Sequence, residues 1–363
     1  MASKRFKAYC AKRTAEATRI AVDLDLDSDA AREPTAASGW VCLNDATIDR
    51  RRKAASSTEM DATPVPKLCK PPLEEALRLG FSYDEWDGLK SCTQTVKDEL
   101  AVLCGQPRDE KWDTEVAEAG ANLMKSLSAQ LSPLDPSATN DAQQTPKKNK
   151  KRRKKKRSVR RGDHRAETVG VGMGNGRTEP GNFRNNDEDA AVLETLLRRP
   201  WTPLFERYPW LRRIFERNVS VFPSCTFNFG PQTVTIPHLD LLNLAWGWCF
   251  ITALGWFDPN KGGHLILWDL KRIVRFPPGS SIAIPSALLR HSNAAIQQGE
   301  TRYSFTQFAA GGLFRFVENG FELNESVRAR VARMSVEERA QWVAAEAARF
   351  SEGLKMYSVH KTQ

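Results

Sequence analysis

Cysteine is scarce and poorly placed for cross-linking. Seven thiols (Cys10, Cys42, Cys69, Cys92, Cys104, Cys225 and Cys249) are scattered over 363 residues, odd in number and never in CxxC spacing. That excludes a disulfide framework and a structural zinc site, and it fits a reducing compartment. The N-terminal MASKRFKAYCAKR has no apolar stretch of the kind a secretory leader needs, so secretion is not expected. Long apolar runs are missing too: the most apolar segment, Leu241 to Phe257, is broken by Asn243, Gly247, Thr252 and Gly255 and is short for a bilayer, so no membrane association is expected. Histidine is rare, with five in the whole chain, and the position of each is therefore informative.

Charge is plentiful but uneven. Residues 1–146 carry 19 basic and 24 acidic side chains, 147–200 carry 17 and 7, and 201–363 carry 18 and 13. The formal excess of +10 therefore lies mainly in one short segment, KKNKKRRKKKRSVRR, whose twelve basic residues are Lys147, Lys148, Lys150, Lys151, Arg152, Arg153, Lys154, Lys155, Lys156, Arg157, Arg160 and Arg161. A run this dense repels itself and stays solvated unless it meets a polyanion. With no acidic residue interrupting it, it reads as a nuclear-import signal or nucleic-acid tether rather than a plain linker. Phosphate attraction of this kind carries no sequence readout.

The organisation follows from composition and period. Residues 1–70 show no sustained periodicity and are expected to be disordered. Region 71–132 reads as small and helical, from Leu73, Leu77 and Leu79 and then from Val116, Leu123, Leu127 and Leu131 in Glu115–Leu131. Region 133–187 reads as a basic and Gly-rich linker. Its GVGMGNGRTEPGN stretch lacks the preceding strand and following helix of a dinucleotide loop, and reads as a loop or flexible arm. Region 188–323 opens with helices at Asp189–Leu197 and around Leu204–Arg217. Eight strands follow at Cys225–Phe229, Val234–Asp240, Leu244–Leu254, His264–Trp268, Ile273–Phe276, Ser281–Pro285, Leu289–Asn293 and Arg302–Phe308, separated by DPNKGG, PPG and QQGE turns. Eight short strands without long intervening helices predict a barrel or jelly roll. In 324–363, Ser335-Val-Glu-Glu338 is a capping box opening a helix to about Leu354.

Three of the histidines fall in the strand-rich region. His238-Leu239-Asp240 is a His-x-Asp pair on an expected strand, where alternation puts both side chains on one face. His291 follows 53 residues later at another strand. Two imidazoles and a carboxylate on one face of an octahedral ion leave three positions open, the ligand set of non-haem iron(II) oxygenases. A 2-oxoacid such as 2-oxoglutarate fills two of those positions and leaves one for O2. Its far carboxylate then needs a buried cation with a planar fork. Arg302-Tyr303-Ser304 supplies that fork eleven residues after His291, with Ser304 on the same face. His264, in GGHLILW, reads as a core or pocket-wall residue. The tryptophans 201, 210, 246, 248, 256 and 268 read mostly as core. From their positions near the metal strand, Asn228 and Trp248 are candidates for the substrate pocket.

The segments TFNFGPQTV, PHLDLLNLAWGWC, ITALGWFDPNKGGHLILWDL, FPPGSSIAIPSALLRHSN and GETRYSFTQFAAGGLFR resemble the TET/JBP-like dioxygenases of mushroom-forming fungi, a group associated with DNA transposons. The likeness is dense from about Cys225 to Phe321 and weaker through RRGDH, the PGN segment and residues 88–112. It implies a double-stranded β-helix core with flanking helices, iron ligands at His238, Asp240 and His291, and a 2-oxoglutarate carboxylate site at Arg302 and Ser304. It also implies oxidation of a methylpyrimidine of the 5-methylcytosine type in nucleic acid, DNA in preference to RNA; the scattered thiols and the basic run give the expected location, nuclear (or cytoplasmic). The chain lacks the cysteine-rich zinc-binding domain of animal TET proteins, and its stretch from Leu197 to Phe222 is shorter than the family pattern. Two rivals stand beside this reading: a prolyl-type protein hydroxylase sharing the HxD…H…R layout, and a non-catalytic nucleic-acid-binding accessory of a mobile element.

Overall fold

From Ser224 onward the chain is a series of three- to eight-residue runs rich in β-branched, aliphatic and aromatic side chains, each ended by a turn. Runs this short are stable only when paired in a sheet with a buried face. The computed structural model describes residues 18–21, 72–89, 92–95, 99–106, 110–131, 164–173, 177–183, 214–215 and 220–355. In it, eight such runs are β7 (Ser224–Phe229), β8 (Thr235–His238), β9 (Cys249–Trp256), β10 (Leu265–Leu267), β11 (Arg272–Val274), β12 (Ser281–Ile284), β13 (His291–Asn293) and β14 (Thr301–Phe308). Strands β12-β9-β14-β7 lie side by side in one sheet and β11-β10-β13-β8 in the other. Six of the seven successive connections therefore cross between sheets, and only β10 and β11 form a hairpin within one. This is a mainly β double-stranded β-helix with flanking helices.

Both sheets are extended by earlier parts of the chain. The larger sheet has nine strands, ordered β1-β3-β4-β12-β9-β14-β7-β5-β6. Its added strands are β1 (Thr18–Ala21), β3 (Cys92–Thr95), β4 (Glu99–Gly105), β5 (Arg165–Gly172) and β6 (Gly181–Asn182). The smaller gains β2 (Ser82–Asp84) beside β11. Between the sheets Leu265, Leu267, Val274, Phe276, Ile282, Ile284 and Leu289 form the core. Each such side chain contributes roughly 1.5–3 kcal/mol on burial. The outer face of the large sheet is covered by a π-helical turn, Trp112–Glu118, running into α2 (Ala119–Ser128), which follows α1 (Pro72–Arg78). Ala121, Met124 and Leu127 recur at helical spacing and pack on Phe227, Phe229, Leu254 and Tyr303. Three helices close the described chain: α3 (Gly311–Glu318), α4 (Asn324–Ala332) and α5 (Val336–Leu354). The expected capping box opens α5: Glu338 N–H donates to Ser335 Oγ at 3.1 Å and Ser335 N–H to Glu338 Oε2 at 2.9 Å.

The structure departs from the sequence-based expectations in several places. Strands β3 and β4 lie in the region expected to be helical; Leu100 to Cys104 is apolar throughout, so the buried and half-buried alternation that the fold shows from Ala101 to Gly105 has no polar–apolar counterpart in the sequence. The Gly-rich segment expected to form an arm contributes the end of β5 and then β6. Glycine suppresses strand propensity, yet β5 pairs with β7 over six residues. Strand β8 ends at His238 rather than Asp240, and Leu244–Trp248 is a turn preceding β9. The basic run 147–161, the expected helix 189–197, nearly all of that at 204–217, and nearly all of the N-terminal stretch lie outside the described residues.

One glycine is needed for the two sheet strands beneath the site to meet. Gly255 has φ +115° and pairs with Arg302 across β9 and β14, and a Cβ there would lie 2.3 Å from the Thr301 carbonyl oxygen. Gly255→Ala is expected to cost about 2–4 kcal/mol in urea unfolding, through backbone strain plus forced separation of the ladder. Gly299→Ala, also at positive φ but in open space, is expected to cost about 1 kcal/mol.

Candidate metal centre

His238 is brought to His291 by strand register. The two residues face each other across β8 and β13, with ring centroids 4.4 Å apart. The register slips between this pair and the next, Asn293 with Thr235, so β8 carries one extra residue there. Pro237 lies within that bulge. Proline has no N–H to give a ladder, and it is tolerated because β8 is the outermost strand of its sheet. Bulges of this kind re-aim a side chain next to a site.

Asp240 reaches the same point by another route. Alternation along a strand does not place it, since β8 has ended. It begins a turn in which Asp240 N–H donates to the Ser286 carbonyl at 2.9 Å and Asn243 N–H to the Asp240 carbonyl at 2.9 Å. Asn243 Nδ2 also donates to Ser286 Oγ at 2.9 Å. Ser286 and Asn243 thus fix the backbone from which the carboxylate projects, and no sequence motif announces them.

The ligand atoms of His238, Asp240 and His291 all lie within 4.8 Å of one another. His238 Nε2 is 3.8 Å from Asp240 Oδ1, and His291 Nε2 is 4.0 Å from Asp240 Oδ2. Ligand bonds of about 2.0–2.2 Å bridge atoms up to about 4.4 Å apart, so one ion fits this set with little side-chain movement. Each imidazole is also oriented for it. His238 Nδ1 lies 2.7 Å from the Ile236 carbonyl oxygen and His291 Nδ1 lies 2.9 Å from that of Leu289. A carbonyl only accepts, so Nδ1 carries the proton and Nε2 keeps its lone pair for a metal.

A cavity of about 250 Å³ opens over these three side chains, and its wall also includes Asn228, Asn293, Arg302, Ser304, Ile251 and Phe276. Arg302 is 3% exposed. Its Nη1 donates to Thr233 Oγ1 at 2.8 Å and more weakly to the Thr233 carbonyl at 3.4 Å, while its Nε has no hydrogen-bond partner among the described residues. The guanidinium lies near the Phe257 and Phe276 rings, each centroid 5.9 Å away, and it has no carboxylate partner among the described residues. Burial pulls its pKa down to about 10, so it remains a cation at neutral pH. Ser304 Oγ accepts from Asn228 Nδ2 at 2.9 Å, which leaves the hydroxyl proton to point elsewhere. A buried, charged, incompletely bonded fork beside a hydroxyl donor is a site for a carboxylate.

The other sequence candidates separate from this group. Asn228 lines the cavity and positions Ser304. Trp248 does not line it, and packs instead against the cluster of Leu244, Ala245 and Trp246. None of the described tryptophans lines the cavity. His264 is 1% exposed, shares a 2.9 Å hydrogen bond with Tyr83 Oη and stands apart from the metal ligands, as expected of a core histidine. The wall built by the Gly-rich segment has no signature in the sequence: Met173, Arg177 and Phe183 all line the cavity. Gly172 is what seats Phe183, since a Cβ there would fall 2.7 Å from its ring.

The unpaired charge sets a stability expectation whose sign can be worked out. A folded-state pKa pulled by burial from the ordinary guanidinium value down to about 10 means that folding disfavours the charged form by roughly 3 kcal/mol. In the ligand-free protein that cost is carried in full at any pH well below 10 and is relieved as pH rises through about 10 toward the ordinary guanidinium range. Arg302→Met is therefore expected to stabilise the ligand-free protein at pH 7 by about 1–3 kcal/mol in thermal or urea unfolding. Addition of a dicarboxylate should raise the Tm of the wild type and leave that of the variant unchanged.

No family model matches the chain, and no curated protein matches it in sequence. Solved structures to which it is similar include NgTET1 in complex with 5mC DNA, at 14% identity and TM-score 0.38 over 64% of this chain and 82% of that one. A second is a 2OG-Fe(II) oxygenase family oxidoreductase from Burkholderia pseudomallei, at 16% identity and TM-score 0.29 over 52% and 77%. A third is OsALKBH1, at 12% identity and TM-score 0.30 over 60% and 99%. At these identities and scores, the functional assignment of the chain rests on the geometry of its own site.

Proposed function

We propose that the chain is an iron(II)- and 2-oxoglutarate-dependent dioxygenase that oxidises a methylated base of the 5-methylcytosine type in nucleic acid, with DNA the preferred substrate. The observation that carries the chemistry is the shared cavity: three converging metal-ligand side chains and, in the same wall, a buried guanidinium lacking a counter-ion among the described residues. His238, Asp240 and His291 would hold the iron. Arg302 and Ser304 take the distal carboxylate of 2-oxoglutarate, Arg302 by charge and Ser304 through the hydroxyl proton that Asn228 leaves free. Iron, 2-oxoglutarate and dioxygen together supply C–H hydroxylation with release of succinate and carbon dioxide. The apolar wall of Ile251, Leu265 and Phe276 limits water around the metal.

The nucleic-acid half of the reading rests on the basic run at 147–161 and on the family resemblance. A base in a duplex must leave the stack to enter a cavity of this size, at a cost of a few kcal/mol. Attraction of the twelve basic residues to phosphate offsets that cost and concentrates the enzyme on its substrate. The same run fits a nuclear location. Among the described residues no helix is long and apolar enough to cross a membrane.

Anaerobic addition of iron(II) and 2-oxoglutarate should give a metal-to-ligand charge-transfer absorption in the wild type and none in His238→Ala. Admission of oxygen with methylated DNA should yield succinate and an oxidised nucleoside by mass spectrometry. A hydroxylated peptide with unchanged nucleosides would transfer the assignment to the protein-hydroxylase reading. Nucleic-acid binding without any 2-oxoglutarate turnover would favour the non-catalytic accessory. Deletion of 147–161 is expected to weaken DNA binding by tenfold or more at about 0.15 M salt. The slope of log affinity against log salt should become shallower by about 0.9 for each phosphate that the shortened chain no longer neutralises.

A further inference from the structure

Among the described residues the guanidinium of Arg302 is hydrogen-bonded only to Thr233, and Thr233 is not in a strand. It sits between β7 and β8, buried at 3% exposure, with its N–H reaching the Arg302 carbonyl at a long 3.3 Å. What holds it comes from the opposite strand. Asn293 Nδ2 donates to the Thr233 carbonyl at 3.0 Å, while Asn293 Oδ1 accepts from Thr235 Oγ1 at 2.7 Å. Asn293 N–H in turn donates to Thr235 Oγ1 at 3.2 Å. The amide thus spans the approach to β8 at the point where the bulge disturbs the ladder, using its donor end on residue 233 and its acceptor end on residue 235. Only a side chain with both functions at this length makes both bonds. Asparagine does; alanine makes neither, and aspartate loses the donor.

Asn293 also lies two residues after His291 on β13, on the same face, 6% exposed and in the cavity wall. One strand therefore carries a metal ligand and, next to it, the group that fixes the partner of the 2-oxoglutarate anchor. We infer that Asn293 is a positioning residue which, through Thr233, sets the guanidinium of Arg302 at the distance from the metal that 2-oxoglutarate requires. The inference rests on the dioxygenase reading and adds to it a residue that contacts neither the metal ligands' donor atoms nor the guanidinium.

Aspartate at this position gives the sharpest test, because it keeps the shape and changes two things. It removes the bond to Thr233. It also places a carboxylate close to Arg302, since Asn293 Nδ2 and Arg302 Nη1 both contact the same Thr233 carbonyl. The experiment is calorimetric titration of 2-oxoglutarate into full-length protein loaded with manganese(II), for wild type, Asn293→Ala and Asn293→Asp, with manganese affinity and ligand-free Tm measured alongside. Asn293→Ala is expected to weaken 2-oxoglutarate binding about tenfold, within the range for loss of a supporting hydrogen bond at a metal site, while manganese affinity stays within about threefold. In turnover, KM for 2-oxoglutarate should rise more than kcat falls. Asn293→Asp should bind 2-oxoglutarate more weakly still, yet have a higher ligand-free Tm than Asn293→Ala, because the new carboxylate compensates the buried guanidinium. A purely structural role would lower Tm, metal affinity and 2-oxoglutarate affinity together in both variants, and that result overturns the inference. So does unaltered 2-oxoglutarate binding by Asn293→Ala beside a wild type that binds. A wild type that takes no 2-oxoglutarate at all sinks the dioxygenase reading, and this inference with it.

Discussion

The site depends on one strand pairing. Strands β8 and β13 are four and three residues long, and their register decides whether two imidazoles share an ion or point to opposite faces. Since side chains alternate along a strand, a slip of one residue would turn one histidine out of the cavity. The register is held from both sides. β13 is locked between β8 and β10, where Leu267 faces His291 and Leu265 faces Asn293, and the buried leucines of β10 cannot shift without leaving the core. On the other side the bulge at Pro237 takes up the extra residue so that His238 still faces His291, while the amide of Asn293 fastens the approach to β8 at residues 233 and 235.

The electrostatics of the cavity follow from keeping opposite charges apart. Asp240 and Arg302 line one cavity, yet no ion pair joins them among the described residues. Direct neutralisation would be cheaper for folding than leaving a guanidinium buried with an unbonded Nε. The fold instead commits Asp240 to the histidines and leaves Arg302 aimed into the cavity, braced by Thr233 and bordered by the Phe257 and Phe276 rings. Such an arrangement carries a folding cost at neutral pH that an incoming anion would remove. On the proposed function, this asymmetry would favour a bidentate 2-oxoacid with a distal carboxylate over a simple monoacid.

Much of this is legible in the sequence, for identifiable reasons. Turns and β-rich runs mark all eight strands of the double-stranded β-helix. The three side chains that converge in the fold can be picked out because histidine is rare here and HxD, H and RxS fall in order along the strand-rich region. Three things are hidden. In sequence Asp240 belongs to a strand face, whereas a turn pinned by Ser286 and Asn243 places it, and side-chain-to-backbone bonds of that kind leave no periodic trace. Trp248 is close in sequence to His238, but the intervening turn carries it to a different cluster. The network of Thr233, Thr235 and Asn293 is built from ordinary polar residues whose meaning emerges only when β8 and β13 are adjacent.

The Gly-rich segment shows why composition alone misjudges one wall of the cavity. Glycines at 170 and 172 suggest freedom, but in the fold each is a place where something large comes close. Gly170, at φ +106°, lets β5 approach the Pro223 carbonyl, and Gly172 makes room for the Phe183 ring. Arg177 then lies over that ring, 5.8 Å from its centroid, and donates from Nη2 to the Asn182 carbonyl at 3.0 Å. Such close approaches replace entropy with contact: the backbone that is least restrained when unfolded becomes the part of the wall most tightly specified by its neighbours. A residue larger than glycine at 172 would displace Phe183 from the cavity and disturb Arg177 with it. The cavity is therefore shaped from two directions, by a strand pair that brings His238, His291 and Asn293 to one wall, and by a glycine-dependent hairpin that shapes another.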